Sequence, residues 1–316
     1  MCRLFGFRSR VQSKAHRSLV VAENAIAEQA QIHCDGWGIG YYLEDEPYIF
    51  KSALSASGDR RFASFSEKLH CQTMLVHVRR ATVGQKDSLN SHPFRYGTWM
   101  FAHNGTLFDF DKIKDRMVER IEPRFHELIF GTTDSEHFFY YLLSEMIREG
   151  VPANGRSAFD IDKAVIAQTR ALSVVFSWCK ELNIEPPKAN YILTNGRELF
   201  ARRAGLELLF STQKRFCSDA LTCNEKNKSC LKGRLGHITR HLQKPRHCNH
   251  LILSSEPIGL EDLWEEVPEG HLLSLDGQFK LRLHEPPTPF WVTWPPVVTR
   301  PPKRKGIIHA EPLGSL

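Results

Sequence analysis

Apolar and polar positions alternate along several short stretches of the chain, the period-two pattern of half-buried strands. Cys2–Phe7, Trp37–Leu43, Pro47–Lys51, Thr73–Arg79 and Thr98–His103 read this way. In Thr73–Arg79 the alternation predicts Leu75, His77 and Arg79 on one face and Met74, Val76 and Val78 on the other. Thr98–His103 runs into Asn104–Gly105, a turn-like pair. Asn195–Gly196 joins Asn190–Thr194 to Arg197–Ala201, and Asp276–Gly277 joins His271–Leu275 to Gln278–His284, giving two predicted hairpins. Helical spacing takes over in three places. Leu19, Ala22, Ile26 and Ala30 predict one amphipathic helix. Thr133 and Glu136 have capping-box spacing ahead of the stripe Phe139, Leu142, Leu143 and Met146, predicting a helix over Thr133–Glu149. The third helix is predicted over Ile161–Leu182. Hairpins around two long helices favour antiparallel sheets covered by helices over a regular β-α-β arrangement.

Two segments break the rhythm. Ser211–His250 is basic and rich in Cys and His, and reads as a loop inserted into a domain spanning residues 2–284. Residues 285–316 are Pro-rich with a basic cluster at Arg300 and Lys303–Lys305, and read as an extended tail docked through Phe290, Trp291 and Trp294. Composition narrows the class. The chain has 316 residues, 41% of them apolar, enough for a large core. Apart from that tail cluster the basic residues are scattered, and with a net charge of +6 no nucleic-acid face is expected. No run of 18 apolar residues and no signal-like start occurs, which argues against a membrane span or export. The 8 cysteines are dispersed over a chain with a substantial core, which fits reduced thiols in a cytoplasmic protein.

Cys2 is the first candidate for chemistry. Removal of Met1 would leave a thiol and a free α-amine on one residue. The amine titrates near about 7.7–8.0 and can serve as base for the thiol. Alone this is a weak signal. Three further segments strengthen it: Val76–Thr82, where Arg79 offers a fork for a carboxylate and Thr82 a hydroxyl; Ala102–Gly105, where the Asn104 amide and Gly105 N–H form a compact pair of oxyanion donors; and Gly131–Glu136, where Asp134 could receive an ammonium, or simply stabilise a helix start.

Met1–Gly6, Asp35–Gly38, His77–Thr82, His103–Gly105 and Thr133–Glu136 together resemble the ordered motifs of class-II glutamine amidotransferases, in particular the stand-alone YafJ-like branch. That branch is also similar to the amidohydrolase of ergothioneine biosynthesis and to the amidotransferase-like subunit of glutathione breakdown. Asn190–Gly196, Ser254–Pro257, Trp264 and Pro268–Gly270 agree with the resemblance, which covers roughly residues 2–284 outside the insertion. It implies an α+β fold, the αββα sandwich of N-terminal-nucleophile hydrolases. It also implies roles: Cys2 attacks the γ-carbonyl of glutamine or a γ-glutamyl group, and Asn104 with the Gly105 N–H stabilises the oxyanion. Arg79, helped by Thr82, pairs with the α-carboxylate and Asp134 with the α-ammonium. No cofactor or metal is required. Two positions depart from synthase-linked members: Val83 where those carry His, and Arg80 where those often carry Trp. Glutamine itself therefore stays open as the substrate.

Other residues have plainer expectations. His77 and His103 read as structural, Asp35 as a turn, Trp37 as a packed ring, and Cys34 and Cys71 as small core residues. The insertion carries Cys217, Cys223, Cys230, His237, His241, His247, Cys248 and His250 without a C-x-x-C pair, so no metal is expected. With no synthase domain evident after residue 284, the leading expectation is an amidohydrolase that acts alone on a small-molecule glutamine or γ-glutamyl substrate. The alternatives are a glutaminase subunit feeding ammonia to a separate synthase partner, or a catalytically silent binding module. A homo-oligomer is also left open.

Overall fold

A computed structural model describes residues 2–80, 87–216 and 245–286. Among these, fourteen strands form two seven-stranded sheets in which every paired neighbour is antiparallel. The first sheet runs in the order β12 (Glu265–Glu266), β9 (Leu209–Ser211), β11 (His250–Ser254), β1 (Arg3–Lys14), β4 (His70–Val78), β2 (Trp37–Leu43) and β3 (Glu46–Ser52). The second runs β10 (Arg246–His247), β14 (Lys280–His284), β13 (Leu272–Leu275), β8 (Leu199–Arg202), β7 (Lys188–Thr194), β6 (Trp99–Thr106) and β5 (Phe94–Tyr96). The helices are α1 (Ile26–Gln29), α2 (Arg60–Lys68), α3 (Phe110–Val118), α4 (Pro123–His126), α5 (Asp134–Arg148) and α6 (Ile161–Glu181), with a π-helical turn at Arg17–Val21.

Strand alternation builds the layers. Leu4, Leu75, Met100, Ala102, Ile192 and Leu273 project between the sheets into one apolar cluster. Their neighbours Phe5, Met74, Val76 and Val78 point outward, beneath the Arg17–Val21 turn, α1 and α2. On the far side Phe101, Tyr191 and Phe200 meet α3, α5 and α6. The expected facing of Leu75 and His77 against Met74, Val76 and Val78 holds, and the α+β sandwich of the resemblance is the observed fold. Gly6 lets the sheets approach at their centre: a Cβ there would lie 2.8 Å from Ile192 Cδ1.

The two hairpins and the helices at 133–149 and 161–182 form within a residue or two of their predicted bounds. Three expectations are corrected. Asn104–Gly105 is not a turn but the continuation of β6, with Asn104 opposite Asn190 and Gly105 opposite Ala189. A whole neighbouring strand overrides the local turn preference of the pair. The helix expected over Leu19–Ala30 is broken by Ala22, which is extended (φ −63, ψ 155). Asn24 instead gives its N–H to Ile258 O at 3.0 Å and its side-chain amide to Pro257 O at 2.7 Å. Leu19, Ile26 and Ala30 are still buried, so the apolar stripe was real although the helix is not continuous. Cys71 is buried as expected, but Cys34 is exposed.

The Cys/His-rich segment is tied into both sheets where it is described: Ser211 ends β9, Arg246–His247 pair with β14 and His250 begins β11. Cys217, Cys223, Cys230, His237 and His241 lie outside the described residues, as do Phe290, Trp291 and Trp294 of the tail.

Candidate active site

The chain enters the first sheet at its middle. β1 pairs with β4 so that Arg3 stands opposite Val78, which carries Cys2 alongside Arg79 and Arg80. The other flank is clamped late in the chain: Leu4 N–H donates to Ser255 Oγ at 3.0 Å, Ser255 N–H to Leu4 O at 3.1 Å, and Arg3 pairs with Glu256. This gives the Ser254–Pro257 segment a physical role, fixing where the N-terminal strand begins. The half-buried Cys2 Sγ receives the Arg80 N–H at 3.3 Å and lies 3.5 Å from Arg80 O. Burial pushes the Cys2 thiol up, against the lowering effect of the Arg80 main chain and of Arg79. The thiol is therefore protonated at neutral pH, and a base would be needed for it to react as a thiolate.

Arg79 follows the last residue of β4 and is buried. Its main chain is held by two bonds, Asp35 N–H to Arg79 O at 3.0 Å and Arg79 N–H to Gly36 O at 2.8 Å. Asp35–Gly36 is thus the rung that extends β2 alongside Arg79. Gly38, in the same motif, lets the chain at His92–Pro93 pass close, since a Cβ there would fall 1.9 Å from His92 O. Trp37 is the packed ring expected, stacked on Phe50 and bonded through Nε1 to Asp59 at 3.1 Å. Burial lowers the Arg79 pKa while Cys2, Asp35 and Asp87 draw it back up. Thr82 lies outside the described residues.

Asn104 and Gly105 stand at the end of β6. Gly105 is required sterically, because a Cβ would sit 1.7 Å from Lys188 O and 2.5 Å from His103 Nε2. Asn104 is buried between the sheets, its Nδ2 3.2 Å from Ser255 Oγ and its Oδ1 without a partner among the described residues. The strand that follows Cys2 and the Asn104 amide therefore share Ser255 as their common support.

Asp134 is the first residue of α5, whose cap is Thr133 Oγ1 accepting the Glu136 N–H. The Glu136 carboxylate does not return to Thr133; it accepts the Gly131 N–H at 2.6 Å. Asp134 does more than stabilise the helix end. Its Oδ2 accepts the Leu107 N–H at 2.7 Å, which joins α5 to the chain just beyond Gly105, and its Oδ1 lies 3.1 Å from Ser135 Oγ. Ser135 Oγ is also 2.9 Å from His103 Nδ1, and His103 Nε2 is 3.1 Å from Lys188 O.

Cys2, Arg79, Gly105 and Asp134 line one small polar cleft, brought together from just before β1, just after β4, the end of β6 and the start of α5. Asn104, next to Gly105 in the chain, is not among the lining residues; its side chain is buried against Ser255. The cleft also exposes groups not picked out as site residues by their sequence context: Arg80, Asn90, His92 and Ser135. Asn90 Oδ1 accepts the Thr132 N–H at 2.9 Å, tying the loop before β5 to the start of α5. His92 packs against His77 with the rings tilted 47° and their centroids 4.2 Å apart. Burial keeps both imidazoles neutral, His77 pushed down to about 3 and His92 well below the ordinary range. The short Ser91–His92–Pro93 stretch carries no period or spacing that would single it out; only its passage across β2 puts it in the cleft wall. A thiol, an arginine, a carboxylate and a strand-end N–H around one cleft suit an acyl transfer from a substrate with an amino-acid head.

The class-II glutamine amidotransferase profile matches residues 1–291. The chain is 25% identical over 303 residues to a probable glutamine amidotransferase of Saccharomyces cerevisiae, DUG3, covering 88% of this chain and 82% of that protein. It is 23% identical over 252 residues to the gamma-glutamyl-hercynylcysteine sulfoxide hydrolase of Mycolicibacterium smegmatis, covering 77% and 78%. A solved glutamine aminotransferase class-II domain protein from Silicibacter pomeroyi shares the fold, with a TM-score of 0.58 at 17% identity over 91% of this chain and all of that one.

Proposed function

The chain belongs to the class-II glutamine amidotransferases, and from that membership we propose that it acts by itself as an N-terminal-cysteine amidohydrolase on γ-glutamyl amides, glutamine among them. The observation that carries this reading is the convergence of Cys2, Arg79, Gly105 and Asp134 on one cleft. The name of the Mycolicibacterium relative, a hydrolase of a γ-glutamyl compound, supports the substrate class.

In the proposed reaction, removal of Met1 frees the Cys2 amine. Through a water, that amine takes the thiol proton that otherwise points at Arg80 O. Sγ attacks the γ-carbonyl carbon, and the negative oxygen is met by the Gly105 N–H and the Asn104 amide. Arg79 holds the α-carboxylate and Asp134 the α-ammonium, so the reacting carbon is positioned before chemistry begins. Collapse of the tetrahedral adduct passes the proton to the departing amine and leaves a thioester. Water, deprotonated by the same amine, then releases glutamate and restores the thiol.

The test is the intact mass of the purified protein before and after a diazo-ketone analogue of glutamine. Loss of Met1 and a single adduct, absent in Cys2→Ala, is the expected result. Retained Met1 with no adduct would overturn the reading.

A further inference from the structure

One hydroxyl in the cleft has more bonds to make than protons to make them with. His103 Nε2 faces Lys188 O at 3.1 Å, and a carbonyl can only accept, so the ring hydrogen sits on Nε2. That contact is built into the fold: only a glycine at position 105 leaves room for it. His103 is buried and burial lowers its pKa, against the raising influence of Asp134 and of the Lys188 carbonyl, so the ring is neutral and Nδ1 is a bare acceptor. Ser135 Oγ lies 2.9 Å from that Nδ1 and 3.1 Å from Asp134 Oδ1, a second acceptor. The serine has one proton for two acceptors. Whichever it serves, the other faces an oxygen lone pair in a buried site, where an unmet acceptor is costly. Asp134 Oδ2 cannot relieve this, because it is already engaged by the Leu107 N–H at 2.7 Å.

We propose that Ser135 is a positioning residue that makes Asp134 selective for a substrate bearing a free α-ammonium. In the empty cleft the hydroxyl proton serves Asp134 Oδ1. An incoming ammonium brings its own protons, takes over Oδ1, and releases the Ser135 hydroxyl to turn to His103 Nδ1. All acceptors are then satisfied, no proton changes heavy atom, and the Oγ lone pair no longer faces the Nδ1 lone pair at 2.9 Å. That relief, absent when position 135 carries only a methyl group, is what the hydroxyl adds to ammonium binding. A γ-acyl compound without the ammonium cannot complete the set. The chain Lys188 O, His103, Ser135, Asp134 thus favours γ-glutamyl over γ-glutaryl groups beyond simple charge pairing. The inference rests on the proposed role of Asp134 in the γ-glutamyl reading.

The experiment uses the full chain and two readouts. Calorimetry on Cys2→Ser compares glutamate with glutarate, which differ in the α-ammonium. Ser135→Ala in that background should weaken glutamate about tenfold, the scale of one hydrogen bond to a charged group. It should leave glutarate unchanged, and Ser135→Thr should restore glutamate. Equal losses for both ligands, or none for either, would overturn the inference. The second readout is the 15N resonance of the His103 ring. It should report a neutral ring protonated at Nε2, with an Nδ1 signal that moves on adding glutamate and moves differently in Ser135→Ala. If no ligand binds even to the Ser135 parent, the γ-glutamyl reading fails. The ring resonances then decide the hydroxyl's part alone, an Nδ1 signal indifferent to Ser135→Ala counting against it.

Discussion

At the scale of single residues, the cleft is a set of side chains whose buried partners determine what they can do. Asn104 shares Ser255 with the start of β1, so the proposed oxyanion donor and the strand that carries Cys2 move together. Asn104→Ala should lower kcat by roughly 10²–10³ with little change in KM, as expected for a donor engaged only in the transition state. Steady-state kinetics on a γ-glutamyl anilide would show this, and a rise in KM with kcat intact would argue against it. The neutral histidines make a different prediction. His77 is pushed down to about 3 by burial first and then by His103 and Arg79; His92 falls well below its ordinary value for similar reasons. In the unfolded chain both titrate near about 6.5, so below that pH the unfolded state binds more protons. The stability contributed by keeping these rings neutral is fully present above about pH 6.5 and is lost as pH falls toward about 3. Urea midpoints measured from pH 7.5 down to 4.5 should decline, and His77→Gln should flatten the decline. A midpoint indifferent to pH would contradict the assignment.

At the scale of elements, close approach decides which substitutions the sheets tolerate. β6 and β7 meet at Gly105 with no room for a methyl group, since Lys188 O would lie 1.7 Å from it. Gly105→Ala should cost at least about 3 kcal/mol or abolish soluble expression, the range of severe overpacking. Gly259→Ala, where a Cβ meets only Ala22 Cβ at 3.5 Å, should be neutral within about 0.5 kcal/mol. Thermal melts of the pair would check the contrast. Most elements were legible from spacing: alternation marked β1, β2, β3, β4 and the hairpins, and capping plus periodicity marked α5 and α6. What escaped was short or one-sided. α3 carries Phe110, Ile113 and Met117 at helical spacing, a signal present in the sequence but diluted by Asp, Lys and Arg between them. α2 buries little more than Phe62 and Ser66, so its apolar stripe is too thin to stand out.

At the scale of the whole molecule, the N-terminus is where the fold concentrates its constraints. β1 is central in the first sheet, between β4 and β11, and Cys2, the residue just ahead of it, lines the cleft. A non-removable N-terminal extension should therefore abolish turnover, by blocking the amine and crowding the cleft, while leaving the melting temperature unchanged. Activity in such a protein would count against the α-amine as base. Strand pairing within the first sheet explains why the clamp can come from so far along the chain. Ser255 and Glu256 reach Leu4 and Arg3 only because β11 is hydrogen-bonded to β1.

The candidate residues Cys2, Arg79, Asn104, Gly105 and Asp134 were legible in the sequence because each sits in a short motif whose chemistry is local: a thiol next to a chain start, a guanidinium at a strand end, an amide beside a glycine, a carboxylate after a cap. The antiparallel class was legible for a similar reason, since alternation and hairpin turns are properties of neighbouring residues. What surrounds those residues was decided by tertiary structure alone. The Asn104–Gly105 pair became strand rather than turn because β7 lies beside it. His92 and Ser135 entered the cleft, and Ser255 came to support Asn104 and Leu4, through contacts between strands and helices distant in sequence. Such contacts depend on strand order, register and the closeness of two sheets, none of which a single sequence expresses as a local period.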